Sequence, residues 1–209
     1  MLIAYHLEAE LLHMKRCLFL LALVSLSIGG TGCKLLNAKA AATPPGQQDV
    51  RLNCLSLLHD LMSQEKDVSK LLIIKRESQD LNRLVKSISA ASAAATKKLE
   101  DMAGQAGSGS LDQLSLPKGE VATRKAIAST LTKVLLTASG DDFELGLMLS
   151  QAEALEYGWH LAAVAAANEP QPERRHYLTA LSEELKNLYH QVISLLRTRT
   201  ALHKEAPPK

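Results

Sequence analysis

The chain has 209 residues, with 24 basic and 22 acidic side chains and a formal net charge of +2. A nearly balanced charge supplies no large field to attract nucleic acid. An aromatic content of 3% leaves few rings on which bases or sugars stack. The composition therefore disfavours a nucleic-acid or polysaccharide partner, and the length suits one domain behind a targeting segment.

A pattern typical of an export signal lies near the start of the chain. Met14-Lys15-Arg16 is basic, residues 17–28 are apolar or small, and a run of small residues leads to Cys33. The apolar run is too short to cross a bilayer as a helix, and this order is expected of a signal peptide that is cut off. We interpret Met14 as the true start, because Glu8 and Glu10 are unusual in a basic leader.

The residues before Cys33 resemble a lipobox, in which a peptidase cuts before a cysteine that carries diacylglycerol on its sulfur. The resemblance implies a signal peptide over residues 1–32, cleavage between Gly32 and Cys33, and lipid attachment at Cys33. Gly30 departs from the pattern, since Leu or Val is commonest there. The alternatives are a non-lipidated secretory signal and a membrane anchor; the competing small-x-small site at residues 38–40 lies well past the apolar run.

Residues 33–49 are interpreted as the lipidated cysteine and a flexible tether, because they mix Ala, Pro, Gly and Gln without apolar periodicity. Lys34 stands where an Asp retains many lipoproteins in the inner membrane. This favours a protein of the bacterial cell envelope, anchored at the periplasmic face of the outer membrane. With Cys17 in the signal, Cys54 is left alone and is expected to be a buried, inert thiol rather than a reactive one.

Five segments within residues 50–198 show the three- and four-residue apolar spacing of amphipathic helices. The predicted helices are 50–76, 79–104, 120–139, 142–168 and 173–198. Ser78 is predicted to cap the second helix and Gly140 to end the third. The Gly- and Ser-rich residues 104–119 are predicted to form a long loop, and residues 199–209 a disordered tail.

Each long helix is predicted to bury one stripe. The first stripe is Cys54, Leu58, Leu61, Glu65, Val68 and Leu72, and the second is Leu81, Val85, Ile88, Ser92, Ala95, Leu99 and Met102. The helix before the last buries Phe143, Leu147, Ala154, Tyr157, Leu161 and Val164, and the last buries Leu178, Leu181, Leu185, Leu188, Val192 and Leu195. These seams predict an all-α fold: an antiparallel helical bundle of four long helices and one shorter helix, crossing at about 20°.

Two short motifs carry a family resemblance. Gln64-Glu65-Lys66-Asp67-Val68 and Ser139-Gly140-Asp141-Asp142-Phe143-Glu144 resemble the bacterial periplasmic ferritin-like four-helix-bundle domain of unknown function, many of whose members are assigned as outer-membrane lipoproteins. The resemblance covers about residues 50–197 and implies a ferritin-like fold. Family members often have a Glu near Glu65 and His residues later, but the second helix here has no His and Ser92 occupies its seam.

A metal site is the alternative that this resemblance raises. A di-iron bundle needs a Glu from each of two helices and a Glu-x-x-His pair from each of the other two. Downstream of Cys33 the chain has one such pair, Glu173 and His176, at the start of the last helix. The remaining candidates are Glu65 on the first helix and Glu153, Glu156 and His160 on the fourth. The simpler, purely structural interpretation places them on a solvated edge of the bundle.

No other motif indicates catalysis or a cofactor, since the chain has no Gly-x-Ser-x-Gly, no phosphate-binding loop and no Cys-x-x-Cys. The Ala-rich residues 90–95 and 162–167 favour close helix packing over a groove for a hydrophobic ligand. The sequence therefore predicts a non-enzymatic, lipid-anchored bundle with a structural or interaction role, bound to the membrane through Cys33 and to an unidentified envelope protein. A ferritin-like metal-binding or redox protein is the alternative.

Overall fold

A computed structural model describes residues 45–73, 75, 77–105, 111, 116 and 118–205. All of them belong to one compact unit, Ala42–Lys209. The predicted signal peptide, the predicted cleavage and lipidation at Gly32 and Cys33, and residues 34–44 of the predicted tether lie outside the described residues.

Helices make up nearly all of this part of the chain. They are α1 (Pro45–Glu65), a 3-10 helix (Val68–Ile73), α2 (Gln79–Gln105), α3 (Lys118–Thr137), α4 (Gly140–Ala167) and α5 (Pro172–Glu205). No strand occurs among the described residues, which confirms the all-α prediction for them.

The core lies among α1, α2, α4 and α5. α4 packs most extensively on α5, α1 packs on α2 and α4, and α2 also packs on α5. α3 packs weakly, mainly on α4. Four helices thus share one hydrophobic core, to which α3 contributes Leu135 from its described residues.

The predicted seams of α2 and α5 are confirmed. All seven predicted residues of α2 are at most 4% exposed, including Ser92. On α5 the first five predicted residues are buried, and Leu195 is partly buried. The leucine spacing on α5 and the mixed spacing on α2 therefore identified the buried faces directly.

The predicted stripe of α1 is displaced by about one residue. Leu58 is buried as predicted, but its buried companions are Leu55 and Met62, while Cys54 and Leu61 are only partly buried. Burial still raises the pKa of the Cys54 thiol, which agrees with an inert thiol. Apolar residues are spread around α1, so their spacing alone does not select one stripe.

The first helix also ends earlier than predicted. α1 stops at Glu65, and residues 68–73 continue as a 3-10 helix. The backbone turns because Lys66 and Asp67 make local turn bonds, and the hydroxyl of Ser89 on α2 donates to the Lys66 carbonyl. The apolar spacing runs across this break, so periodicity alone predicted one helix over residues 50–76.

The helices extend beyond the prediction at both ends of the domain. α1 begins at Pro45, inside the predicted tether, because proline lacks an amide hydrogen and suits a first helical position. α5 continues to Glu205, through part of the predicted disordered tail. Arg199 reaches Glu144 on α4 at 2.9 Å, which favours helix beyond residue 198.

Residues at two helix junctions have clear structural roles. Ser78 precedes α2 at the predicted cap position, but its amide and hydroxyl both donate to the Glu144 carboxylate. Gly140 has a φ of +57°, the left-handed conformation that glycine adopts without strain, at the reversal between α3 and α4. Lys75 donates to the carbonyls of Leu136 and Ala138, which satisfies the end of α3.

In the described part of α4, the predicted face is partly wrong. Phe143, Leu147 and Leu161 are buried, but Val164 is 42% exposed, and Leu155 lies in the core instead. The reason is that apolar and small residues surround much of α4, so the buried surface that meets α1 and α5 is not a single stripe.

Truncation at Leu58 should measure the strength of this core. Leu58 is 0% exposed, so Leu58→Ala should lower the free energy of unfolding by about 2–5 kcal/mol through lost burial and a residual cavity. Denaturant unfolding measures the change. Val164→Ala, at a site 42% exposed, is the control and should cost about 1 kcal/mol or less; equal losses would contradict the assigned core.

Candidate functional sites

The lipidation site lies outside the described residues, and the structure places none of its atoms. Among the helices that are described, none is long and apolar enough to cross a membrane. Cys33 therefore stays a prediction from the sequence.

Glu65, the first metal candidate, faces α4 and contacts the side-chain amide of Gln151. The Gln151 Nε2 atom donates to Glu65 Oε2 at 2.8 Å. Burial raises the pKa of the Glu65 carboxyl group, and the hydrogen bond from Gln151 opposes that shift. The Gln151 Oε1 atom is buried and has no hydrogen-bond partner.

Glu153, Glu156 and His160 lie on an exposed side of α4. At about 100° per residue, Glu153 is rotated about 200° from Gln151, the residue that contacts Glu65. Partial burial and the nearby Glu156 raise the pKa of Glu153. Glu153 and Glu156 thus lie together on one side of α4, whereas Glu65 of α1 contacts a different side of α4.

His160 stacks on the neighbouring Trp159 ring, with centroids 3.4 Å apart. Within the described residues, no group of three His, Cys, Asp or Glu side chains is arranged to hold a metal ion. The metal-binding alternative stays a prediction that rests on the family resemblance, and the geometry of these four candidates adds no support to it.

Two side-chain contacts that the sequence did not indicate join distant segments. His59 is 6% exposed, and its Nε2 atom lies 3.1 Å from Glu100 Oε1 on α2. Arg51 Nη1 lies 3.1 and 3.3 Å from the two carboxylate oxygens of Glu169, whose side chain is 0% exposed. The sequence predicted only that one helix ends at residue 168 and the next begins at residue 173, because a buried carboxylate has no local sequence signal.

The Ala-rich end of α4 is mostly close-packed. Ala162 and Ala165 are each 0% exposed, as close packing predicts. A surface depression of about 280 Å³ lies beside them, with mixed polar and apolar residues from α4 and α5. A depression of that composition does not mark a hydrophobic ligand site.

α3 carries the largest concentration of exposed apolar side chains on a described helix. Ile127, Leu131 and Val134 are 61%, 37% and 53% exposed, and their spacing places them on one stripe. The helix also has four basic residues and one acidic residue, a net charge of +3. Its exposed apolar stripe and its positive charge together distinguish α3 from the other described helices.

Comparisons with protein-family models, curated proteins and solved structures gave no match. The ferritin-like family resemblance therefore remains a prediction from the short motifs at residues 64–68 and 139–144.

The raised pKa of Glu65 gives a pH-dependent stability. The native state binds the proton more tightly than the unfolded state, so wild-type stability should fall as pH rises from near 4.5, the group's ordinary value, to its higher folded pKa. Glu65→Gln keeps an acceptor for Gln151 and lacks this loss. The free energy of unfolding of Glu65→Gln relative to wild type should therefore increase across that window.

Urea unfolding at several pH values measures the difference. Glu183→Gln, at an exposed position of α5, is the matched control and should track the wild type. A constant difference between Glu65→Gln and wild type at all pH values would show that the Glu65 carboxyl is not perturbed in the folded protein.

Proposed function

We propose that this chain is a lipid-anchored protein of the bacterial cell envelope whose helical domain acts by interaction and not by catalysis. The observation that carries the proposal is the lipobox-like sequence ending in Cys33. A lipid chain contributes about 0.8 kcal/mol per buried methylene, so several chains on one cysteine would anchor the protein stably. Lys34 favours the outer membrane as its location.

We also propose that the four core helices form an antiparallel, ferritin-like bundle. Arg51 near the start of α1 meets Glu169 after α4, and Glu65 at the end of α1 meets Gln151 earlier in α4. Opposite chain order in paired contacts supports an antiparallel arrangement of α1 and α4. His59 with Glu100, and Ser69 with Ser89, support the same arrangement of α1 and α2.

In this proposal the interaction surface is the α3 stripe, defined as Ile127, Leu131 and Val134. The stripe binds the anionic surface of the membrane. The stripe is apolar and exposed, and α3 has a net charge of +3 in a chain whose total is +2. α3 is therefore the most basic of the described helices. Helices that combine exposed apolar and basic side chains bind lipid surfaces through apolar burial and attraction to anionic headgroups.

The anchor is tested by labelling bacteria that express the chain with an alkyne fatty acid. Wild type should incorporate the label, and Cys33→Ala should incorporate none, because the acylated sulfur is absent. Cys54→Ala removes a different thiol and should keep the label. Equal labelling of wild type and Cys33→Ala would refute lipidation at this residue.

The α3 stripe is tested independently of the anchor with a fluorophore sensitive to polarity. In a chain whose three cysteines are replaced by alanine, the probe is attached at Ile127→Cys or at Leu136→Cys. Leu136 is also exposed, at 44%, but lies about 180° from Ile127 around the helix. Phosphatidylglycerol vesicles should increase and blue-shift the emission at position 127 and leave position 136 unchanged.

Phosphatidylcholine vesicles and about 1 M salt, where the screening length is about 3 Å, should weaken the response. A response of equal size at both positions, or none at position 127, would contradict contact of the stripe with lipid. An emission change that depends on protein concentration without vesicles would identify a second copy of the chain as the occupant instead.

A further inference from the structure

Arg174 has a buried donor without an acceptor. It lies in the first turn of α5, is 9% exposed, and its Nε atom is buried with no hydrogen-bond partner. No ion pair in the described part of the chain includes it. A buried N–H donor that has no acceptor is costly, because it has lost hydration and gained no replacement.

Its position increases this cost. The N-terminal end of a helix is the positive end of the helix dipole, where anions are favoured and cations are not. α5 begins at Pro172, only two residues before Arg174. The helix end and the guanidinium therefore both favour a negative charge at the same place.

A second guanidinium lines the same small cavity. Arg51, Arg174 and Glu169 contribute to its wall together with the apolar side chains of Leu55 and Leu99. Arg51 uses Nη1 to bind Glu169, but its own Nε is also buried without a partner. Two cations and one anion leave this cavity with one excess positive charge and two unused donors.

The size of the cavity restricts the occupant. Its volume is about 10 Å³, close to the minimum for a single water-sized group. A tetrahedral phosphate or sulfate is larger than this space. A water molecule accepts hydrogen bonds but leaves the excess charge unbalanced.

We propose that Arg174 and Arg51 bind one small anionic acceptor at this end of the bundle, either a chloride ion or a carboxylate oxygen of a small acid. The anion would accept from the unused Nε donors and balance the excess charge. Glu169 positions Arg51 through their two short contacts, and Glu169 is itself held by the Gln171 amide at 3.1 Å. This inference does not depend on lipid anchoring.

The test follows thermal unfolding of the purified chain at constant ionic strength. Sodium chloride or sodium formate replaces sodium methanesulfonate, whose tetrahedral headgroup is too large for the cavity. A ligand that binds only the native state raises the melting temperature, by about 3 °C or more at a tenfold excess over its dissociation constant. Stabilisation by chloride alone assigns the ion, by formate alone the carboxylate, and by both the shared chemistry.

Two variants separate specific binding from general salt effects. Arg174→Met keeps an apolar side chain of similar length and should lose the dependence on chloride and formate. Arg175→Met removes an exposed arginine from the next position and should keep it. In methanesulfonate alone, Arg174→Met should melt no lower than wild type, because it removes a buried donor that has no acceptor.

An equal response of both variants, or no response of the wild type, would overturn the proposal and leave water as the occupant. A much lower melting temperature of Arg174→Met in methanesulfonate would also overturn it, since Arg174 would then be satisfied without an anion.

Discussion

The close approach of α1, α4 and α5 at Gly158 is the constraint on which the rest of the fold depends. A Cβ atom at this position would lie 3.2 Å from both Leu185 Cδ1 and Leu61 Cδ2, tighter than ordinary contact. The missing side chain lets leucines from two helices pack against the α4 backbone. Ala162 and Ala165, one and two turns further along α4, are also fully buried. Small residues thus set the spacing within the core, and Leu178 and Leu185 fill the space that remains.

Buried charges then hold the two ends of this packed core. At one end, the Glu144 carboxylate of α4 accepts from Ser78 before α2 and pairs with Arg199 near the end of α5. At the other, Glu169 pairs with Arg51 of α1. Each carboxylate would be costly alone, and each is compensated by groups that are distant in sequence. Removing one partner would therefore destabilise more than the pair contributes, so these contacts favour one arrangement of the helices over alternatives with similar apolar burial.

The sequence predicted the buried face best where polar and apolar residues lie on clearly different sides of a helix. The leucine seam of α5 and the seven-residue seam of α2 have that separation, and both were identified. In α1 and α4 the apolar residues are spread around the helix, so a single stripe described them poorly. The break after Glu65 was missed because Ser89, a residue of another helix, binds the freed carbonyl. The same holds for the surroundings of Arg174. Whether a buried charged side chain is paired depends on which distant residues contact it, and the spacing of residues along one helix does not indicate that.

α3 differs from the other helices in how it is held, and this bears on function. In the part that the structure describes, Leu135 is its one buried side chain, while Arg124 donates to the Tyr157 hydroxyl at 3.1 Å and Lys75 binds its last carbonyls. Few buried contacts imply a low free energy of local opening. A surface that covers Ile127 and Val134 would add apolar burial of about 25 cal/mol per Å² and stabilise α3 in place. Under the proposed function, a covering surface would therefore stabilise α3 more than the core helices, because these already bury most of their apolar side chains.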